Sequence, residues 1–194
     1  MKKKILIIDG HPDRNEERLC HALASAYRDG SEAGNHEVRT IKVSEIDFPL
    51  LRTAEEFDSG QLSTDIRHAQ EDLSWCDHIL IVYPLWLGTM PSLLKGFFEQ
   101  VLRPGFAFDR ETKGWPKGNL TGRSARIVIT MGMPGWLYRW FYGAHSLKSL
   151  ERNILSYVGI KPIRETIYGM IDAASEAKRT KWLHDMQALG RQAR

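Results

Sequence analysis

The sequence predicts an α/β fold, a three-layer sandwich in which a five-stranded parallel sheet lies between two layers of helices. Three stretches carry that prediction. Residues Lys4 to Asp9 form a short unbroken apolar run that Gly10-His11-Pro12-Asp13 ends, the pattern of a parallel strand buried on both faces. A helical period and then an alternating run follow, so strand, helix and strand succeed one another within residues 4–43, the signature of a βαβ unit. The third stretch is Ile79-Leu80-Ile81-Val82-Tyr83, which leads into Pro84-Leu85-Trp86-Leu87-Gly88-Thr89-Met90-Pro91 and then into an amphipathic run. A buried strand that ends in a stiff loop and opens a helix is half of a second such unit. Pro84 and Pro91 fix two backbone angles of that loop.

The elements follow in order. From Glu16 a helix is expected with Leu19, Leu23, Ala26 and Tyr27 on one face, and Gly30 and Gly34 are expected to end it. His36 to Val43 alternates around Val38, Ile41 and Val43 and reads as the second strand. Ser44 to Ser63 has little periodicity, and a connection this long is usually functional or partly ordered on its own. Ser63 or Thr64 can cap the next helix, with Ile66, Ala69, Leu73 and Cys76 facing inward. Asp77 to Tyr83 is the third strand. Leu94, Phe97, Phe98, Val101 and Leu102 then make a wide apolar stripe that Arg103-Pro104-Gly105 stops. Phe106 to Asn119 reads as a loop whose aromatic residues, Phe106, Phe108 and Trp115, suit a packed flap or a partner surface. Arg126 to Thr130 is the fourth strand. Leu147, Leu150, Ile154 and Val158 share a helix face that Gly159 closes. Glu165 to Tyr168 is a weak fifth strand, and Ala177, Trp182, Met186 and Leu189 carry the last helix. With right-handed crossovers few strand orders remain, and the flavodoxin-like order 2-1-3-4-5 is one of the two common ones. No repeat or linker divides residues 1–194, which are expected to form a single domain.

Composition narrows the function. The hydrophobic share is 42% and the charged share 26%, both ordinary for a soluble globular protein. Net charge is +3 and the isoelectric point about 8.9, and the positive residues are scattered apart from Lys2-Lys3-Lys4, unlike the concentrated stripe of a nucleic-acid binder. Cys20 and Cys76 make neither a metal-ligand spacing nor a redox pair. No apolar run approaches the ~20 residues that span a bilayer. The run after Lys2-Lys3-Lys4 is too short for a signal peptide and meets Asp9 at once, so a cytoplasmic location is expected.

Chemistry is expected in the loops after strands one, three and four, which a parallel sheet brings to one edge: Gly10 to Arg18, Pro84 to Pro91 and Met131 to His145. The first opens a helix, whose free N–H groups favour an anion. His11, Arg14, Asn15 and Arg18 can donate to phosphate there, while Glu16 and Glu17 oppose one. The loop is not Gly-x-Gly-x-x-Gly and no Walker sequence exists, which argues against a dinucleotide Rossmann site and a P-loop nucleotidase. In the second loop Trp86 and Leu87 offer flat apolar surface, and its amides can meet a planar polar ring; the alternative is an ordinary connection whose Trp86 packs inward. In the third, Tyr138 and His145 can donate a hydrogen bond or a proton to an electron-accepting ring. Alternatively Trp136, Tyr138, Trp140, Phe141 and Tyr142 form a dimer surface. Hydrolytic chemistry has no candidate, since there is no Gly-x-Ser-x-Gly elbow and no metal-ligand spacing. A borrowed redox ring suits what is present.

In this order the three loops resemble those of the flavodoxin-2-type NAD(P)H:quinone oxidoreductases, the group of DT-diaphorase and its short bacterial relatives. The run from Tyr83 to Leu102 is similar to that family's central signature, and Gly105-Phe106-Ala107-Phe108 to its continuation. His11-Pro12 resembles its phosphate loop, Thr130-Met131-Gly132 its loop beside the flavin, and Tyr138 with Gly143-Ala144-His145 its active-site Tyr and Gly-x-His. The resemblance implies that His11, Asn15 and Arg18 hold the phosphate of FAD or FMN. It implies that Pro84, Leu85, Trp86 and Leu87 line the isoalloxazine ring, with Thr130, Met131 and Gly132 on its other side. Tyr138 and His145 would then assist reduction of flavin or quinone, with Tyr142 as the alternative tyrosine. It further implies NAD(P)H as co-substrate, two-electron ping-pong transfer to a quinone, and a homodimer with the site at its interface. Glu16, Glu17, Arg18 and Cys20 depart from the family's phosphate loop, and Met131-Gly132-Met133 from its flavin-side glycines. Three rival readings stay open: an ancillary subunit of a potassium-efflux transporter, an electron carrier, and a protein that keeps the fold without the cofactor.

Overall fold

A computed structural model describes residues 2–109 and 117–194 of the chain. Its strands are, in chain order, β1 (Lys4–Asp9), β2 (Glu37–Lys42), β3 (His78–Pro84), β4 (Phe108–Asp109), β5 (Lys117–Gly118), β6 (Ser124–Met131) and β7 (Ile163–Gly169). Five of these form one sheet in the order β2-β1-β3-β6-β7, parallel throughout. Counted as sheet strands alone, that is the predicted 2-1-3-4-5. The chain belongs, in architecture, to the doubly wound α/β folds. β4 and β5 make a separate two-residue antiparallel ladder inside the stretch expected to be loop. Trp115 lies outside the described residues.

The burial of each strand explains how clearly its sequence announced it. Every residue of β3 is buried, and β1 is buried from Ile5 onward. The edge strands are mixed: β7 buries Tyr168 alone and β2 only Ile41. Along the central strands alternate side chains enter opposite cores. Leu6, Ile8, Ile79, Ile81, Ile127 and Ile129 join the core under α3 (Thr64–Trp75) and α4 (Ser92–Val101). Ile5, Ile7, Leu80, Val82 and Val128 join the core under α1 (Leu19–Ala33) and α7 (Glu176–Arg191). The remaining helices are α2 (Ala54–Ser59), α5 (Gly135–Trp140) and α6 (His145–Lys148), the last running on into a π-helical stretch, Ser149–Leu155.

Several local expectations change. α1 does not stop at Gly30; it continues to Ala33, and Gly34 caps it. Gly30 serves packing instead. A Cβ there would lie 2.0 Å from the Gln187 carbonyl oxygen, and one on Gly190 would lie 2.1 Å from that of Tyr27, so two glycines let α1 and α7 touch backbone to backbone. In α7 the buried residues are Trp182, Met186 and Gly190, while Ala177 is exposed in the first turn. Ser63 caps α3 as expected, accepting the Ile66 N–H. The aperiodic stretch from Ser44 contains α2, started by a capping box between Thr53 and Glu56. Phe108 is buried and meets Tyr157 edge-on at 5.1 Å, so it belongs to a packed flap.

Candidate functional site

All five parallel strands end at one edge, and the site lies there. The loop after β1 is tied by its own side chains. Asp9 Oδ1 accepts the His11 N–H (3.2 Å), His11 Nδ1 that of Asp13 (3.1 Å), Asp13 Oδ1 that of Asn15 (3.0 Å) and Asn15 Oδ1 that of Glu17 (3.0 Å). Four consecutive two-residue steps of this kind give the loop a fixed shape without helix or strand. They also explain why α1 begins at Leu19 and not at Glu16.

A cavity of about 550 Å³ opens beside this loop. Its walls come from four strand ends: His11, Asp13, Glu17, Arg18, Leu19 and Cys20 after β1, Pro84 and Trp86 at β3, Thr130 at β6, and Ile171, Asp172 and Arg179 beyond β7. That size falls within the roughly 300–1,000 Å³ of small-molecule sites. No side chain caps α1, so its first turn, which lines the cavity, keeps N–H groups for an oxyanion. Arg18 is salt-bridged to Asp13 at 2.6 Å, and Arg179 is anchored by the Ile171 carbonyl at 2.8 Å. Glu16 turns away to Lys42 on β2 at 2.5 Å, which removes one of the two acids expected to oppose a phosphate; Glu17 remains on the wall. Burial, with His21 next, holds the His11 imidazole below its ordinary pKa. His11 is therefore neutral, accepting at Nδ1 and offering Nε2–H. Burial pushes the Cys20 thiol up to about 12, and it pairs with the Thr130 hydroxyl at 3.3 Å, so the cavity contains no thiolate nucleophile.

The loop after β3 crosses between this cavity and a second hollow of about 410 Å³ lined by Trp86, Leu87, Thr89, Pro91 and Ser146. The Leu85 N–H donates to the Thr130 carbonyl at 2.8 Å and fixes the loop to β6. Trp86 and Thr89 exchange both backbone hydrogen bonds, at 2.8 and 3.0 Å. The two residues between them are left-handed, Leu87 at φ 47° and Gly88 at φ 79°, which is the geometry of a tight hairpin turn. Trp86 is half exposed, its ring meeting His11 edge-on at 5.9 Å, and Leu87 is fully exposed. Trp86 does not pack inward.

The structure thus brings His11, Arg18, Pro84, Trp86 and Thr130 together on one cavity, and Leu85 and Leu87 lie on the same loop. Other expected residues are placed elsewhere. Asn15 is exposed and spends its carboxamide oxygen on the loop. Met131 is buried in the core and lines neither hollow; Gly132 is exposed beside it. Tyr138 departs most. It is the buried residue of α5, and its hydroxyl accepts the Leu147 N–H at 3.1 Å, because the other aromatic residues of α5 point outward and this one anchors it. Burial raises its pKa. Tyr142 and His145 are exposed, Gly143 packing against the His145 ring. Sequence reasoning missed Ile171, Asp172 and Arg179. The signal was available in the parallel sheet, which sends the fifth strand's loop to the same edge as the others. Among the described residues no group of His, Cys, Asp or Glu could hold a metal ion.

Fold and cavity define a doubly wound α/β protein with its candidate site at the carboxyl edge of its sheet. Residues 3–189 match the family model of the Flavodoxin-2 family, described as a flavodoxin-like fold, and the chain belongs to that family. It is 30% identical over 178 residues to a ribosyldihydronicotinamide dehydrogenase-like protein of Penicillium crustosum, covering 78% of this chain and 64% of that protein. The chain thus spans less than two thirds of that relative. It is 29% identical over 186 residues to an FMN-dependent NADH:quinone oxidoreductase of Nitratidesulfovibrio vulgaris, covering 84% of each. A solved NAD(P)H:quinone oxidoreductase from Methanothermobacter marburgensis superposes with a TM-score of 0.83 over 99% of this chain and 97% of its own, at 21% identity.

Proposed function

We propose that the protein is a flavin-dependent NAD(P)H:quinone oxidoreductase. One observation carries the reading: a single cavity joins an anion end, made by His11, Arg18, Arg179 and the uncapped start of α1, to an apolar end at Pro84 and Trp86. A molecule with a phosphate at one end and a flat ring at the other matches both. The names of the relatives, quinone and nicotinamide oxidoreductases, support the same class. The residues present fit FMN or FAD. Nε2–H of His11 and the guanidinium groups of Arg18 and Arg179 are donors for the phosphate. Trp86 and Pro84 offer the ring a wall, and Thr130, followed by Met131 and Gly132, lies on the same cavity. Bound flavin would supply two-electron hydride chemistry between NAD(P)H and a quinone.

The chain's own part is binding, orientation and proton supply. The loop from Asp9 to Glu17 arrives pre-shaped, so little ordering is required when an anion docks. His145 is the residue assigned to proton donation, with Tyr142 beside it, since Tyr138 is buried in the core. The exposed Trp136, Trp140, Phe141 and Tyr142 are assigned to a homodimer face. The test is direct. Purified protein should be yellow or take up FMN or FAD, and it should oxidise NADPH when menadione is added. Protein that stays colourless in excess flavin and leaves NADPH intact would overturn the reading.

A further inference from the structure

The loop that forms the anion end rests on a buried pair, Asp9 and His21. Asp9 and His21 are 2% and 5% exposed. His21 Nδ1 lies 2.5 Å from Asp9 Oδ2, and His21 Nε2 donates to the Asp13 carbonyl oxygen at 2.8 Å. A carbonyl can only accept, so Nε2 carries a proton. Nδ1 faces the Asp9 carboxylate, so both ring nitrogens look onto acceptors. That pairing favours the imidazolium over the neutral ring. The other oxygen of Asp9 holds the His11 N–H. The ladder of side-chain hydrogen bonds therefore starts on Asp9, and its Asp13 step is braced from beneath by His21.

The charges give the pair its purpose. The cavity wall carries Asp13, Glu17 and Asp172 against Arg18 and Arg179, an excess of one negative charge. An unpaired Asp9 at the head of the loop would deepen that excess where water cannot screen it. We propose that His21 is the positioning residue of the phosphate site: its imidazolium cancels Asp9 and fixes the Asp13 carbonyl, which keeps the loop shaped for a phosphate and its floor electrically neutral. The proposal rests on the flavin-phosphate reading of this cavity. The groups that face His21 are Asp9 from β1 and His11, Asp13 and Glu16 from the loop.

The experiment compares FMN, which has the phosphate, with riboflavin, which lacks it, by quenching of flavin fluorescence. The proteins are wild type, His21→Gln and the double variant Asp9→Asn/His21→Gln, each shown to be folded by a cooperative thermal melt. His21→Gln leaves Asp9 uncompensated and should weaken FMN binding about tenfold or more while changing riboflavin by less than about twofold. The double variant removes both charges and should bring FMN affinity back to within about threefold of wild type. Unchanged FMN affinity in His21→Gln would overturn the proposal. Equal loss of both flavins with no recovery in the double variant would also overturn it, showing that His21 merely packs. A wild type that binds neither flavin sinks the proposed function instead. In that case amide exchange without ligand decides the positioning role: faster exchange of residues 11–19 in His21→Gln supports the brace, and unchanged exchange rejects it.

Discussion

Among single residues, Trp86 and His145 carry the sharpest expectations. Trp86 stands half exposed between two hollows with His11 against its ring. Trp86→Ala should weaken flavin retention about tenfold, the loss of roughly one aromatic stacking contact, read as flavin content after gel filtration. His145 is exposed and lines neither hollow. His145→Ala should therefore leave flavin affinity within about twofold, whereas the proton-supply role proposed for it predicts acceptor reduction slower by about tenfold or more, measured by titration and by stopped flow. His21 gives a pH dependence whose sign is fixed. Burial opposes its charge, but Asp9 and the Asp13 carbonyl outweigh burial and hold its pKa above the ordinary imidazole value. The folded state thus keeps a proton that the unfolded chain releases near pH 6.5. The stabilisation is complete below that pH and fades as pH rises through the higher folded value. Urea midpoints of wild type minus His21→Gln should narrow between pH 6 and pH 9; a constant gap would mean His21 never carries the charge. These residues were unequally visible beforehand. His11 and Trp86 were marked by loop chemistry. Tyr138 was misread as facing the ring because short aromatic-rich stretches do not show from sequence which side faces in. His21 was passed over, since one histidine on a helix face looks like any other until Asp9 is placed beneath it.

At the level of elements, the seam between α1 and α7 is the feature most open to test. Gly30 and Gly190 allow each backbone to sit where a side chain would be. Gly30→Ala should cost about 1–3 kcal/mol through overpacking, more than the helix propensity gained, and chemical denaturation would show it. A neutral or stabilising result would mean the helices can part without loss. Thr53→Ala removes one half of the α2 capping box and should cost about 1 kcal/mol where α2 contributes to global stability. The central strands were legible because burial on both faces demands a continuous apolar run, as in His78–Pro84. The edges were less so: β7 is half solvated, and only Tyr168 among its residues is buried. α5 was missed because five aromatic residues in and after it, four of them exposed, obscure any period. The misplaced end at Gly30 has the same root. A glycine in a helical pattern reads as a stop, whereas here the reason for it lies in the last helix of the chain.

For the molecule as a whole, the exposed face of Trp136, Trp140, Phe141 and Tyr142 lies beside the loop that bears Leu87 in chain topology. This uncovered aromatic surface is the face proposed for the homodimer. Trp140→Glu should convert a dimer into monomers in sedimentation velocity and lower turnover with quinone about tenfold. A wild type that sediments as a monomer at every concentration would remove the dimer from the proposal. The alternation of strands and helices narrowed the sheet order to two common ones, because handed crossovers leave few alternatives. Most of the cavity was available: three of its four walls were anticipated, and the wall beyond β7 was not, although the same parallel geometry sends every strand's exit to one rim.

The turn at Leu87 has a consequence of its own. A leucine wholly in water on left-handed backbone is an uncomfortable arrangement, costing roughly 1–2 kcal/mol of conformational energy. Asparagine tolerates the same backbone far better, so Leu87→Asn should raise the melting temperature. If the proposed catalysis falls at the same time, the discomfort is a reservoir relaxed only when some visiting surface covers the tip, and the protein's resting form is then wound like a sprung latch.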